Sequence, residues 1–238
     1  MKQCRLEHRL ALLVGLLVPQ WACEGTSPEL SDDDGALGGA SGEPLSPPYE
    51  LSECETFEPV FATDVEDFSF GEGQSFGQDK FPEIALGPPQ GRGINAGSLD
   101  VVSLGHGGTV TVSFEGRVII DGEGTDLIVF ENAFEAGEGS GDLFIEPGIV
   151  AVSEDGVIWH EFPCAAEEAP WAGCAGLEPV TFDGSEGAVF EPASAGGDRF
   201  DLADLGVSEA RFVRVRDAPE DDHVFDLDSI AVINGRCE

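Results

Sequence analysis

From residue 54 onward the chain consists of short apolar runs separated by glycine-rich polar segments. Val110-Thr-Val-Ser-Phe114 alternates and predicts a half-buried strand. Arg117 to Ile120 (RVII) predicts another, ended by Asp121-Gly122. Leu127 to Phe130 (LIVF) is apolar throughout, as expected of a strand covered on both faces. Ile149 to Ser153 and Val157 to Phe162 flank Glu154-Asp155-Gly156, a strong hairpin signal, with Trp159 expected to plug the core between sheets. Arg211 to Arg216 (RFVRVR) alternates and places Arg214 and Arg216 on one polar face. Phe225 to Ile233 is the last predicted strand, and Leu202 to Leu205 has room for one helical turn at most. No internal repeat stands out. Many short strands between glycine turns predict an all-β sandwich or jelly roll.

Composition narrows the partners. With 32 Gly and 15 Pro in 238 residues a helical bundle is excluded, and 41% hydrophobic residues with 16 Phe exclude a wholly disordered chain. Asp and Glu number 47 against 11 Lys and Arg, a net charge of −36. Phosphate contact needs a basic surface, so nucleic acid is excluded as a partner, and anionic membranes are disfavoured for the same reason. A divalent cation suits such a chain.

Residues 1–22 read as an export signal. Lys2, Arg5 and Arg9 precede the apolar run Leu10 to Val18, which is too short to span a bilayer. Trp21-Ala22-Cys23 resembles a bacterial lipobox, although Gln20 and Trp21 depart from its usual residues. Cys23 is therefore the candidate lipid anchor, and membrane contact is expected through it alone. The alternative is ordinary cleavage nearby and an unlipidated, secreted protein. Residues 23–53, rich in Ser, Pro, Gly and acid, form an expected disordered tether. The folded domain is placed at 54–238.

Cys4 leaves with the signal, so four cysteines remain beside Cys23: Cys54, Cys164, Cys174 and Cys237. Export implies an oxidising compartment and two disulfides, for which three pairings exist. A local Cys164–Cys174 bridge around Pro170 is natural and leaves Cys54 with Cys237. No Cys-x-x-Cys occurs, which argues against zinc.

Two segments carry a family resemblance. Val150-Ala-Val-Ser-Glu-Asp-Gly-Val-Ile-Trp159 resembles the V-x-V-S-x-D-G-x-x-W hairpin of discoidin-like (coagulation factor type C) domains, and Ala210-Arg-Phe-Val-Arg-Val215 resembles their later strand. The inferred Cys54–Cys237 bridge is similar to the end-to-end disulfide of those domains. The resemblance implies a galactose-binding-like β-sandwich jelly roll. Ser103-Leu-Gly-His-Gly-Gly108, Asp126-Leu-Ile-Val-Phe-Glu-Asn132, Gly196-Gly-Asp-Arg-Phe-Asp-Leu202 and Phe225-Asp-Leu-Asp228 are similar to blocks in secreted bacterial cell-surface proteins and lipoproteins. That likeness implies location and fold and no activity.

The expected chemistry is binding. Calcium wants six to eight oxygens. Its candidate ligands are Asp126, Glu131 and Asn132 around a buried strand, Asp198 and Asp201 after a Gly-Gly pair, Asp217, and Asp226 and Asp228 on one strand face. Galactose-binding-like domains often hold such a structural ion. Trp171, inside the expected Cys164–Cys174 loop, is the candidate platform for stacking a sugar, and His106 a candidate hydrogen-bonding partner. Gly73-Gln-Ser-Phe-Gly77 matches the esterase spacing Gly-x-Ser-x-Gly but lacks a buried strand before it, and Pro82 blocks a helix after it. The expectation is a non-enzymatic cell-surface or outer-membrane module, calcium-stabilised and glycan-binding. The alternatives are a structural envelope lipoprotein without a small ligand, or a hydrolase on a jelly-roll scaffold.

Overall fold

In the computed structural model residues 58–137, 139–218 and 223–238 are described. The leader, the tether, Cys23 and Cys54 lie outside the described residues. The fold is all-β, and every strand pair among the described residues is antiparallel. One sheet has four strands in the order Val60–Phe61, Ser229–Val232, Leu127–Phe130, Asp198–Phe200. A second has five, in the order His160–Glu161, Gly148–Ser153, Phe212–Asp217, Thr109–Ser113, Asp64–Ser69. Glu209–Ala210, Arg117–Ile120 and Gly235–Cys237 form a smaller sheet. Asp226–Leu227 pairs with Val102–Ser103, and Phe134–Glu135 with Leu143–Phe144.

The two-residue period of the strands builds the core. Val110, Val112, Val150, Val152, Val213 and Val215 of the five-stranded sheet share one buried cluster with Leu127, Val129, Ile230 and Val232 of the four-stranded sheet. Ile128, Phe130 and Ala231 face the other way, into a second cluster with Val180 and Ala195. Leu127–Phe130 is therefore covered on both faces, which is what its unbroken apolar run predicts. Full burial of one such side chain contributes about 1.5–3 kcal/mol. The predicted helical turn appears as a short 3-10 helix at Leu202–Leu205, capped by the Asp201 side chain and closed by Gly206 at φ 64°.

Three details differ from the expected pattern. Val157 and Ile158 do not extend the hairpin strand, which is reduced to His160–Glu161. Asp155 Oδ1 accepts from the amides of both, at 2.8 Å each, and so removes the donors a ladder would need. The last predicted strand divides at Asp228: Asp226–Leu227 pairs with Val102–Ser103, whereas Ser229–Val232 pairs with Leu127–Phe130, and at the junction the Asp228 side chain accepts from Gln90 N. Trp159 is not a core plug. It is half-buried on the outside of the sheet, where Arg214, projecting from the neighbouring strand, lies 3.8 Å from the ring centroid. Arg211 pairs with the Glu238 carboxylate.

Ile230→Ala removes a fully buried side chain from the cluster shared by the two sheets. It should cost about 2–5 kcal/mol, read as a lower urea midpoint at unchanged m-value.

Candidate functional site

Six carboxylates are buried among the described residues: Asp126, Glu131, Glu146, Asp198, Asp217 and Asp228. Burying a charge is costly unless hydrogen bonds replace its water. Four of the six have those bonds, and all four hold irregular backbone. Asp126 Oδ1 accepts from Gly122 N and Asn234 Nδ2, both at 2.9 Å, and its Oδ2 from Leu202 N at 2.7 Å. Asp198 Oδ2 accepts from Gly176 N at 2.7 Å and Leu177 N at 3.0 Å. Asp217 accepts from Phe225 N at 2.8 Å and Gly107 N at 3.0 Å. Both oxygens of Asp228 lie 3.1 Å from Gln90 N.

Glu131 is different. It is 1% exposed, and neither carboxylate oxygen accepts from an amide or hydroxyl donor; its side-chain neighbour is the Glu146 carboxyl. Burial pushes its pKa well above the ordinary range, and the charges of Glu146, Asp226 and Asp198 push it further. The neighbouring Asn132 amide opposes this without meeting hydrogen-bond geometry. Glu146 is pushed up to about 8 by burial and then by Asp226. Its one amide contact, from Val224 N, is long at 3.4 Å. Asp226 is raised to about 6 by burial, with Asp217 adding to the shift. It stands opposite Ser103 across a two-stranded ladder, and the Ser103 hydroxyl opposes the shift from just outside hydrogen-bond geometry.

The eight expected metal ligands are thus dispersed into separate settings. Glu131 and Asp226 share one acidic neighbourhood with Glu146, which sequence reasoning missed. Nothing distinguished Glu146 from the other acids of the chain, since it falls between a loop and Pro147-Gly148. Asp126 and Asp201 meet Asp121, each offering one oxygen within 4.8 Å of the others. That triad is a set of turn clamps: Asp126 already holds three donors, and Asp201 Oδ1 accepts from Ala203 N at 2.9 Å. Asn132 Oδ1 accepts from Ser98 N. Asp198, Asp217 and Asp228 are engaged by amides as above.

The expected ligand-binding residues also separate. The Cys164–Cys174 disulfide is present, with the Cα atoms 4.6 Å apart. Within its loop Trp171 is half-buried, at the uncommon backbone φ of 54° for a bulky residue. Its N–H donates to Glu168 O at 2.9 Å, and its carbonyl accepts from Cys174 N at 3.0 Å. Beside the loop lies a recess of about 450 Å³, lined by Ile149, Cys164, Ala165, Ala166, Glu167, Glu168 and Arg216. Arg216 also pairs with Glu161 at 3.3 Å, with both side chains substantially exposed. His106 does not line this recess. It is exposed in a Gly-flanked turn, and its N–H donates to Glu72 O at 2.7 Å. Ser75 is exposed and is followed by the three-residue 3-10 helix Gln78–Lys80, a setting unlike a strand-to-helix nucleophile elbow.

No known protein family matches the chain, and no curated protein matches it. No helix among the described residues is long and apolar enough to cross a membrane.

Asp198 gives the site a measurable pH signature. Burial raises its pKa from 3.8 to about 7. Between those values the folded state holds more protons than the unfolded state, so stability falls as pH rises from about 4 towards about 7. In Asp198→Asn that contribution is absent. Urea unfolding in chelator at pH 5, 6 and 7 should show a slope shallower than wild type by up to one proton, or about 1.4 kcal/mol per pH unit.

Proposed function

We propose that the chain is an exported, non-enzymatic surface module of galactose-binding-like jelly-roll type, whose ligand is a glycan held beside the Cys164–Cys174 loop. The observation that carries this reading is the recess itself. Ile149 and Ala166 supply an apolar floor, and Glu167, Glu168 and Arg216 supply charged polar groups at its wall. A sugar ring has the matching character: an apolar face of C–H groups and a rim of hydroxyls that both donate and accept. The disulfide restrains one wall before any ligand arrives, which lowers the ordering cost of binding. The exposed Arg216–Glu161 pair is a weak interaction that a ligand hydroxyl can displace.

The leader and the lipobox-like Cys23 support display at a bacterial outer membrane or cell surface as a lipoprotein, or release as a secreted protein. The net charge of −36 favours neutral or cationic partners over polyanions. A disulfide in the folded domain accords with an oxidising compartment.

A glycan array probed with the mature protein tests the reading. At least one neutral or amino-sugar glycan should bind, and Arg216→Ala should weaken it at least tenfold at an unchanged melting temperature. Absence of binding across the array by the intact protein would reject the glycan and leave a structural envelope component.

A further inference from the structure

We infer that the recess between the hairpin tip at 153–159 and the turn at 206–209 docks a protein partner that presents a basic side chain beside an apolar one. The site shares no lining residue with the glycan recess.

Two observations meet there. The first is the tip itself. Val157 is 79% exposed and its neighbour Ile158 63%. An Asp-Gly turn does not need two aliphatic residues after it, and apolar surface left in water adds nothing to folding. Yet the tip is built to hold them there. Asp155 Oδ1 accepts from both their amides. The buried Ser153 Oγ accepts from Gly156 N at 2.9 Å and donates to Ile158 O at 2.6 Å. Trp159 Nε1 donates to Gly156 O at 3.2 Å. Two exposed aliphatic side chains are thus fixed before any partner arrives, which lowers the ordering cost of covering them.

The second observation is the recess beside the tip, of about 270 Å³. Glu154, Asp155, Ile158 and His160 form one wall, and residues 206–209 form the other. Arg211 N donates to Ser153 O at 2.8 Å and ties the two segments together.

Charge selects the occupant. No lysine or arginine lines the recess, and Glu209 is already paired with Arg236 at 2.8 Å. Glu154 and Asp155 therefore leave it negative. The amides of Ile158 and Val157 hold Asp155 below the ordinary carboxylate range, so it stays ionised. The recess is smaller than the ~300–1,000 Å³ of clefts for drug-sized ligands, and suits one long side chain. An arginine or lysine puts its charge against Glu154 and Asp155 and its methylene stem along Ile158 and Val207. An apolar neighbour on the partner then covers Val157, giving a charged anchor with an apolar surround.

The test titrates the isotope-labelled mature protein with blocked hexapeptides in which Arg or Lys adjoins Leu, Phe or Trp, followed by amide chemical shifts. Physiological salt suppresses loose attraction to the acidic surface. The largest shifts should fall at 154–160 and 206–209, and the same peptides with Glu in place of the basic residue should bind at least tenfold more weakly. Glu154→Gln and Ile158→Ser should each lower affinity at least fivefold at an unchanged melting temperature. Val189→Ser, which changes an exposed valine elsewhere, should bind like the wild type. The inference is overturned if no peptide of the set binds, if shifts scatter over the acidic surface, or if Glu154→Gln and Ile158→Ser bind like the wild type. It is equally overturned if sedimentation shows a dimer, or phosphatidylcholine vesicles retain the protein, and Ile158→Ser abolishes that association, since the occupant is then a second copy or a lipid surface. Arg216→Ala should leave peptide binding unchanged, so this result and the glycan assay stand or fall separately.

Discussion

The architecture depends on buried carboxylates that act as acceptors for loop amides. Loops carry backbone donors that no ladder satisfies, and a donor buried without a partner is destabilising. In this chain aspartate oxygens supply the missing acceptors. Asp126 ties the 122 turn and the start of Leu202–Leu205 to Asn234. Asp217 ties Gly107 to Phe225, and Asp228 ties Gln90 to the last strand. Four of these bonds bridge segments more than seventy residues apart, those of Asp126 to Leu202 and Asn234, of Asp217 to Gly107 and of Asp228 to Gln90, so the strands hold the loops by side chains as well as by chain connectivity.

This arrangement explains how so acidic a chain builds an interior. A large net negative charge disfavours compaction through self-repulsion. Where a carboxylate meets two or three amide donors, those bonds offset part of the cost of burying it without any lysine or arginine, although burial still raises Asp198 and Asp217. The few basic residues are left for the outside: Arg214 covers Trp159, Arg236 pairs with Glu209, and Arg211 pairs with Glu238. Glu131 departs from this arrangement, which is why it draws attention in a chain where acid alone means little.

The strands were legible in the sequence because their signal is local. LIVF and RVII coincide with the observed strands, and the Leu202 to Leu205 turn has its expected bounds, because apolar runs and their flanking turns set them directly. The local disulfide was legible for the same reason. The grouping of acids was not. Which carboxylate meets an amide and which meets another carboxylate depends on pairings such as Asp226 with Ser103, more than a hundred residues apart. Period and composition hold no information about that. Trp159 shows the same limit: its motif marks the hairpin, but the arginine that covers it comes from another strand.

The borders of the five-stranded sheet have a consequence at high protein concentration. One border is the two-residue strand His160–Glu161, too short to template another chain. The other is Asp64–Ser69, irregular between Val65 and Asp67 and bearing Asp64, Glu66 and Asp67. A second copy approaching either margin meets a stub or a row of negative charge, so neither border of this sheet is a template for edge-to-edge pairing.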